Sequence, residues 1–293
     1  MDRRGFGRAA LAAAGAGALA NGFAVQKNFG QGWADIEAAV GGRLGVAVLD
    51  TATGALDGHR LDERFPMCST FKCLAAAQVL ARVDAGQERL DRRVVVTRES
   101  LLEWSPVTGQ HVGGAGMTLA ELCEAAVTVS DNPAANLLLQ SIGGPAGLTA
   151  FLRHAGDDVT RLDRTEPTLN EAVPGDPRDT STPRAMARTL RALVLGDVLS
   201  AAGRDQLVRW MAASSTGAKR LRAGLPAGWR VADKTGTGRL GTTNDVGVLW
   251  PPHGAPRVVV AYLTQSRASA DAREHALAQV ARRVAGGGLV PAA

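Results

Sequence analysis

The stretch Met67-Cys68-Ser69-Thr70-Phe71-Lys72-Cys73-Leu74 sets a serine and a lysine three residues apart in a mostly apolar run. On a helix that spacing puts both side chains on one face. A buried polar pair fits the pattern, and so does a serine nucleophile with its base beside it. A serine in the first turn would meet the positive end of the helix dipole, which favours an attacking oxygen and a developing oxyanion. Lys72 would lower the cost of deprotonating Ser69, by taking the proton or by its charge alone. Beyond the pair, Phe71, Leu74, Ala75, Val79, Leu80 and Val83 recur at helical spacing, which predicts a helix over Ser69 to Val83.

The neighbouring segments decide what surrounds that helix. Upstream, Trp33 to Val40 reads as helix, Gly42 to Thr51 as a strand with a buried middle, and Leu56 to Leu61 as a returning strand after the Gly54-Ala55 turn. Downstream, helices are expected over Thr118 to Val129, Pro133 to Ser141, Pro145 to His154, Pro183 to Leu195 and Ala201 to Ala212. Thr118 with Glu121 forms a capping box, and the helices from Pro133 and Pro145 carry Pro in the first turn. The tail changes period: Trp229 to Lys234, Asn244 to Trp250 and Arg257 to Thr264 read as strands, and Ala268 to Ala285 as a closing amphipathic helix. Strands at both ends and helices between them predict an α+β fold, an α/β sandwich. An antiparallel sheet built from both termini is flanked by helices, with an all-α lobe inserted and the active site between the two. The expected lobes are 25–65 with 213–290, and 66–212. The second includes a polar loop over about 161–179 whose length marks it as functional.

The chain has 293 residues and a net charge of +5. Part of that charge is removable. Arg3, Arg4 and Arg8 against Asp2 contribute +2, so loss of residues 1–20 leaves +3. No basic run or basic-aromatic stripe remains, which argues against a nucleic-acid partner. Those first 20 residues read as a twin-arginine export signal: Arg3-Arg4-Gly5-Phe6, a weakly apolar run, then Ala18-Leu19-Ala20 as a small-residue cleavage site. The run is too short to span a bilayer, so a periplasmic or secreted protein without a membrane anchor is expected. Cys68 and Cys73 stand about 140° apart on a helix and are not expected to bridge each other. With Cys123 and five scattered histidines they make no metal spacing, so neither metal nor other cofactor is expected.

Three further motifs are each bland alone. Ser130-Asp131-Asn132 precedes Pro133 and could be a helix cap. Lys234-Thr235-Gly236 ends an expected strand, and Glu166-Pro167-Thr168-Leu169-Asn170 lies in the polar loop. In this order and together with Ser69-x-x-Lys72, they make the chain resemble the class A β-lactamases, serine enzymes of the penicillin-recognising family. Phe65-Pro66-Met67, Trp104-Ser105-Pro106-Val107 and Asp176-Pro177-Arg178-Asp179 extend the likeness.

The resemblance implies a role for each residue. Ser69 would attack the strained lactam amide, and the backbone N–H groups of Ser69 and Thr237 would hold the oxyanion. Lys72 would sit between Ser69, Ser130 and Glu166, and Ser130 would pass a proton to the lactam nitrogen. Asn132 would bind the substrate's side-chain amide, and Lys234 and Thr235 its carboxylate. Gly236 and Gly238 would leave the strand edge open to ligand. Glu166 would deprotonate a water held also by Asn170, and that water would cleave the Ser69 ester. An Arg164–Asp179 pair would clasp the loop if buried, and Glu166-Pro167 invites a cis peptide.

Two departures matter. Gly241-Thr242-Thr243-Asn244-Asp245 lacks the carboxylate-binding Arg that many relatives carry there, and Arg220 is the expected substitute. Carbapenem-hydrolysing relatives bridge the position of Cys68 to a second Cys, where this chain has Gly238. Trp104 and Thr237 lean towards a broad spectrum, while the missing bridge argues against carbapenem hydrolysis. The resemblance thus implies a monomer whose partners are a β-lactam and a catalytic water. The alternatives are a D,D-peptidase or penicillin-binding protein and a β-lactam-sensing domain. Both would keep a long-lived acyl group; the first would lack the Glu166 and Asn170 pair, and the second would normally need a membrane-spanning segment.

Overall fold

The computed structural model describes residues 28–287, so the expected leader at 1–20 lies outside the described residues. The chain runs α1 (Asn28–Val40), β1 (Arg43–Asp50), β2 (Leu56–His59), β3 (Phe65–Pro66) and α2 (Phe71–Asp84). Then come β4 (Arg93–Val94), β5 (Met117–Thr118), α3 (Leu119–Thr128), α4 (Asn132–Ser141), α5 (Gly144–His154) and β6 (Thr180–Ser181). It closes with α6 (Pro183–Val194), α7 (Ala201–Ala212), β7 (Arg230–Thr237), β8 (Thr243–Trp250), β9 (Arg257–Thr264) and α8 (Ala270–Gly286). The five-stranded antiparallel sheet has the order β2-β1-β9-β8-β7, so strands from the two ends of the chain lie side by side as expected.

Both faces of this sheet are covered, which is why its middle strands read as apolar runs rather than as alternation. Leu44, Val46 and Val48 of β1 with Val259, Ala261 and Leu263 of β9 pack against α1 and α8. The intervening residues, Ala47, Val258, Val260 and Tyr262, join the larger core of the helices. α2 runs through that core and is buried from Phe71 to Leu80, Lys72 included. A helix buried all round is normally apolar all round. Lys72 and Gln78 break the rule, and Lys72 is the one the sequence singled out.

Local chemistry sets the boundaries. Thr118 caps α3 by accepting from the Glu121 N–H, and Glu121 reciprocates on the Thr118 N–H at 2.7 Å. Ser269 caps α8, so that helix starts two residues later than expected. β2 stops at His59 because Arg60 takes a positive φ. The helix expected from Ser69 starts at Phe71, with Ser69 in the 3-10 turn Cys68–Thr70 just before it. A fourth difference bears on the site. β7 does not end at Lys234 but continues through Thr237, because Thr235, Gly236 and Thr237 pair with Asp245, Asn244 and Thr243 of β8. Lys234 therefore stands inside a strand.

Candidate active site

The end of β3, the Cys68–Thr70 turn and β7 meet at one point. Asn244 of β8 donates from Nδ2 to the carbonyls of Pro66 (2.8 Å) and Met67 (3.1 Å), tying the turn to the sheet. β7 lies so close that a Cβ on Gly236 would stand 2.7 Å from the Met67 carbonyl. The bare Cα at 236 is thus required by this contact, whatever the ligand. A Cβ on Gly238 would reach 2.5 Å from Cys68 Sγ. All three cysteines are free and buried, and burial pushes each thiol up, Cys73 to about 12.

The charged centre lies behind this turn. Lys72 Nζ is 3.0 Å from Glu166 Oε1, both side chains being fully buried. It also donates to Asn132 Oδ1 (2.6 Å), the Ser130 carbonyl (2.8 Å) and Ser130 Oγ (3.3 Å). Ser69 Oγ donates to the same Glu166 oxygen at 3.2 Å, so Ser69 meets Lys72 through Glu166. Burial holds the Lys72 ammonium below its ordinary range, and the Glu166 charge opposes that shift. Lys234 Nζ donates to Ser130 Oγ at 3.1 Å and to the Thr235 carbonyl. Burial, with the Lys72 charge acting in the same direction, pushes Lys234 down to about 7. The Ser130 hydroxyl therefore sits between two amines, in a backbone with φ of 61°. Its neighbour Asp131 is the cap of α4 and also accepts from the Val107 and Thr108 N–H groups, each at 2.9 Å. The bland capping reading holds for Asp131, while Ser130 and Asn132 turn to the lysines.

Glu166 comes from a loop that has no ladder to hold it, and side chains do that work. Asn136 of α4 grips its backbone twice, accepting from Glu166 N and donating to Glu166 O, each at 2.9 Å. Asn170 Nδ2 donates to Glu166 Oε2 at 2.5 Å. Glu166-Pro167 is cis. At the loop's neck Arg164 Nε donates to Asp179 Oδ2 at 2.6 Å, and Asp179 Oδ1 takes the N–H groups of Asp163 and Arg164. Asp179 is 1% exposed, so the clasp is buried.

Ser69, Ser130, Asn132, Asn170, Thr235, Thr237, Arg220 and Trp104 line a cleft of about 530 Å³, with Lys72, Glu166, Lys234 and Gly236 beneath it. Trp104 is 54% exposed at its rim and is fixed by Nε1 donating to the Val129 carbonyl. Arg220 is 7% exposed, which excludes the reading as a surface arginine. Its Nη1 donates to the Gly236 and Asn244 carbonyls, and its Nη2 to Thr237 Oγ1 at 2.8 Å. Sequence reasoning missed Asn136, Thr216 and Asn244. Thr216 lines the cleft and shares a 2.6 Å hydroxyl contact with Thr235. Asn136 sits one helical turn after Asn132, a spacing that offered a signal. Among the described residues, no group of three or more His, Cys, Asp or Glu is disposed to hold a metal ion.

A buried Ser-Lys-Glu centre lies at the seam of such a sheet and helical core. Comparison with known proteins gives the family. Residues 30–286 match the family described as "Beta-lactamase enzyme family". The chain is 51% identical over 254 residues to Beta-lactamase CTX-M-8 of Citrobacter amalonaticus, covering 87% of each. It is 51% identical over 253 residues to Beta-lactamase OXY-2 of Klebsiella oxytoca, covering 86% of this chain and 87% of that one. The solved structure of an ancestral (GNCA) class A β-lactamase superposes with a TM-score of 0.86 at 67% identity, covering 87% of this chain and 97% of that one. The chain belongs to the β-lactamase enzyme family, in class A.

Proposed function

We propose that the chain hydrolyses the amide bond of β-lactam antibiotics, penicillins and cephalosporins, through a Ser69 acyl-enzyme, and so confers antibiotic resistance. The observation that carries this reading is the convergence of Ser69 Oγ and Lys72 Nζ on one buried oxygen of Glu166, at 3.2 and 3.0 Å. The resting hydrogen bond points the Ser69 proton at a carboxylate, with an ammonium beside it to stabilise the charge. Ser69 attacks, and the Ser69 and Thr237 N–H groups hold the oxyanion. Ser130 Oγ can accept from both lysines and still has its own proton to give to the leaving nitrogen. Lys234, Thr235 and Arg220 take the carboxylate, and Asn132 takes the side-chain amide. Trp104 covers the rim.

Deacylation distinguishes a hydrolase from an acyl trap. Glu166, steadied by Asn136 and Asn170, deprotonates the water that cleaves the ester. The two lobes, 25–65 with 213–290 and 66–212, meet at the cleft. Export by the twin-arginine route to the periplasm or medium, and action as a monomer, complete the proposal. Among the described residues no helix is long and apolar enough to cross a membrane.

The test is steady-state hydrolysis of a chromogenic cephalosporin, with the protein's mass measured at the end point. Sustained turnover with no lasting adduct is expected. One stoichiometric burst with a stable adduct on Ser69 would make the chain a penicillin-binding or sensing protein instead.

A further inference from the structure

Two carboxyl groups that this mechanism does not use meet behind the cleft. Asp233 of β7 and Asp245 of β8 are both fully buried. Asp233 faces Gly247 in the ladder, and Thr235 faces Asp245, so the two aspartates are diagonal neighbours on one face of the sheet. Each spends one oxygen on the segment that follows Arg220. Asp233 Oδ1 accepts from Arg222 Nε at 2.6 Å, and Asp245 Oδ2 accepts from the Leu221 N–H at 3.1 Å. The other two oxygens, Asp233 Oδ2 and Asp245 Oδ1, are buried and have no donor. The carboxyl groups are within hydrogen-bonding reach of each other. Two ionised carboxylates so placed repel each other, whereas one proton shared between them would relieve the repulsion and give the orphaned oxygens a partner.

We infer that Asp245 Oδ1–H donates to Asp233 Oδ2, and that this proton-sharing pair is the positioning unit that pins residues 220–222 to β7 and β8 and so aims Arg220 at the cleft. The second half rests on the reading of Arg220 as a carboxylate-binding residue. The charges acting on the pair are Arg222 from the turn, Lys234 on β7 and Arg220. Arg222 pairs with Asp233, which leaves the proton to Asp245. Burial raises both carboxyls, and the Asp233 charge helps hold Asp245 well above the usual range. Arg220 donates from Nη1 to the strand carbonyls of Gly236 and Asn244 and from Nε to Glu274, so a shift of the 220–222 turn against the strands would draw its guanidinium off those acceptors.

The experiment has a spectroscopic arm and a kinetic arm. Infrared spectroscopy of the folded enzyme at pH 7 should show a buried carboxylic-acid C=O band that shifts in D₂O and vanishes in Asp245→Asn. Absence of that band in the unsubstituted enzyme overturns the shared proton. With benzylpenicillin, Asp245→Asn keeps an N–H donor towards Asp233 and should hold KM within about twofold. Asp245→Ala should raise KM about tenfold with kcat changed much less, and should add nothing to Arg220→Ala. Equal KM effects of Asn and Ala, or additivity with Arg220→Ala, overturn the positioning role. If Arg220→Ala alone leaves KM unchanged, the Arg220 reading and the positioning role fall together, and the infrared band decides the proton independently. Stability gives a check that needs no substrate. A raised carboxyl favours the folded state below the ordinary carboxylate range, and that contribution is lost as pH rises through the raised value. The slope should be present in the unsubstituted enzyme and absent in Asp245→Asn.

Discussion

The two walls of the cleft are held by different means. The strand wall, with Lys234, Thr235, Gly236 and Thr237, is fixed by the β7–β8 ladder, and its positions would survive the loss of any one side chain. The opposite wall takes Ser130 and Asn132 from the start of α4 and Glu166 from a loop, and side-chain contacts alone tie these together. Backbone support is redundant, whereas side-chain support is not. The helical wall should therefore be the fragile one, and the part of the reaction that depends on Glu166 should fail first.

The sharpest way to break the comparison is Glu166→Ala. With the buried carboxylate gone, Lys72 is left to take the Ser69 proton, so acylation should persist at a reduced rate while deacylation slows about a thousandfold or more. The check is intact-protein mass spectrometry during turnover, and wild-type turnover with no adduct would end the assignment. Asp179→Ala comes next. It leaves Arg164 without its buried partner at the neck of the loop, at a cost of about 3 kcal/mol. Thermal unfolding should show a lower Tm, with a loss in kcat larger than any change in KM.

The strand wall should respond to pH rather than come apart. Lys234 is held down to about 7, so raising pH from 6 to 9 removes its charge while the strand stays in place. KM for a carboxylate-bearing penicillin should climb above pH 7 while kcat stays nearly flat. The stability sign is opposite: a lysine depressed on folding releases its proton early, so its burial penalty is relieved as pH rises past 7. Trp104→Ala should do least. Its ring is half exposed and its one bond is to a carbonyl, so a KM change of about threefold with no measurable loss of Tm is expected.

Much of this was legible in the sequence because it is carried by local rules. The Thr118 and Glu121 capping box, the apolar spacing of α2 and the buried runs of β1 and β9 each announce an element within a few residues. The site's residues were legible as a set, because four bland motifs in order are specific where each alone is not. What the sequence hid was support that depends on long-range pairing. That β7 continues past Lys234 is decided by Thr243 to Asp245 across the ladder. That Arg220 is buried follows from two strand carbonyls which no local pattern displays. Asn136 and Asn244 read as ordinary polar residues until the Glu166 backbone and the Met67 carbonyl are brought to them.

The pairing of β1 with β9 constrains the order of assembly. All eight β1 residues, from Arg43 to Asp50, find their partners between Arg257 and Thr264. During synthesis the first strand must wait for the last, and at cellular elongation rates that delay is on the order of ten seconds or more. The helices between them can collapse locally in far less time, so the nascent protein would hold a half-built core beside an unpaired strand edge. Such an edge invites association with other chains. The moment of greatest aggregation risk for this enzyme should thus be late in translation, just before β9 emerges.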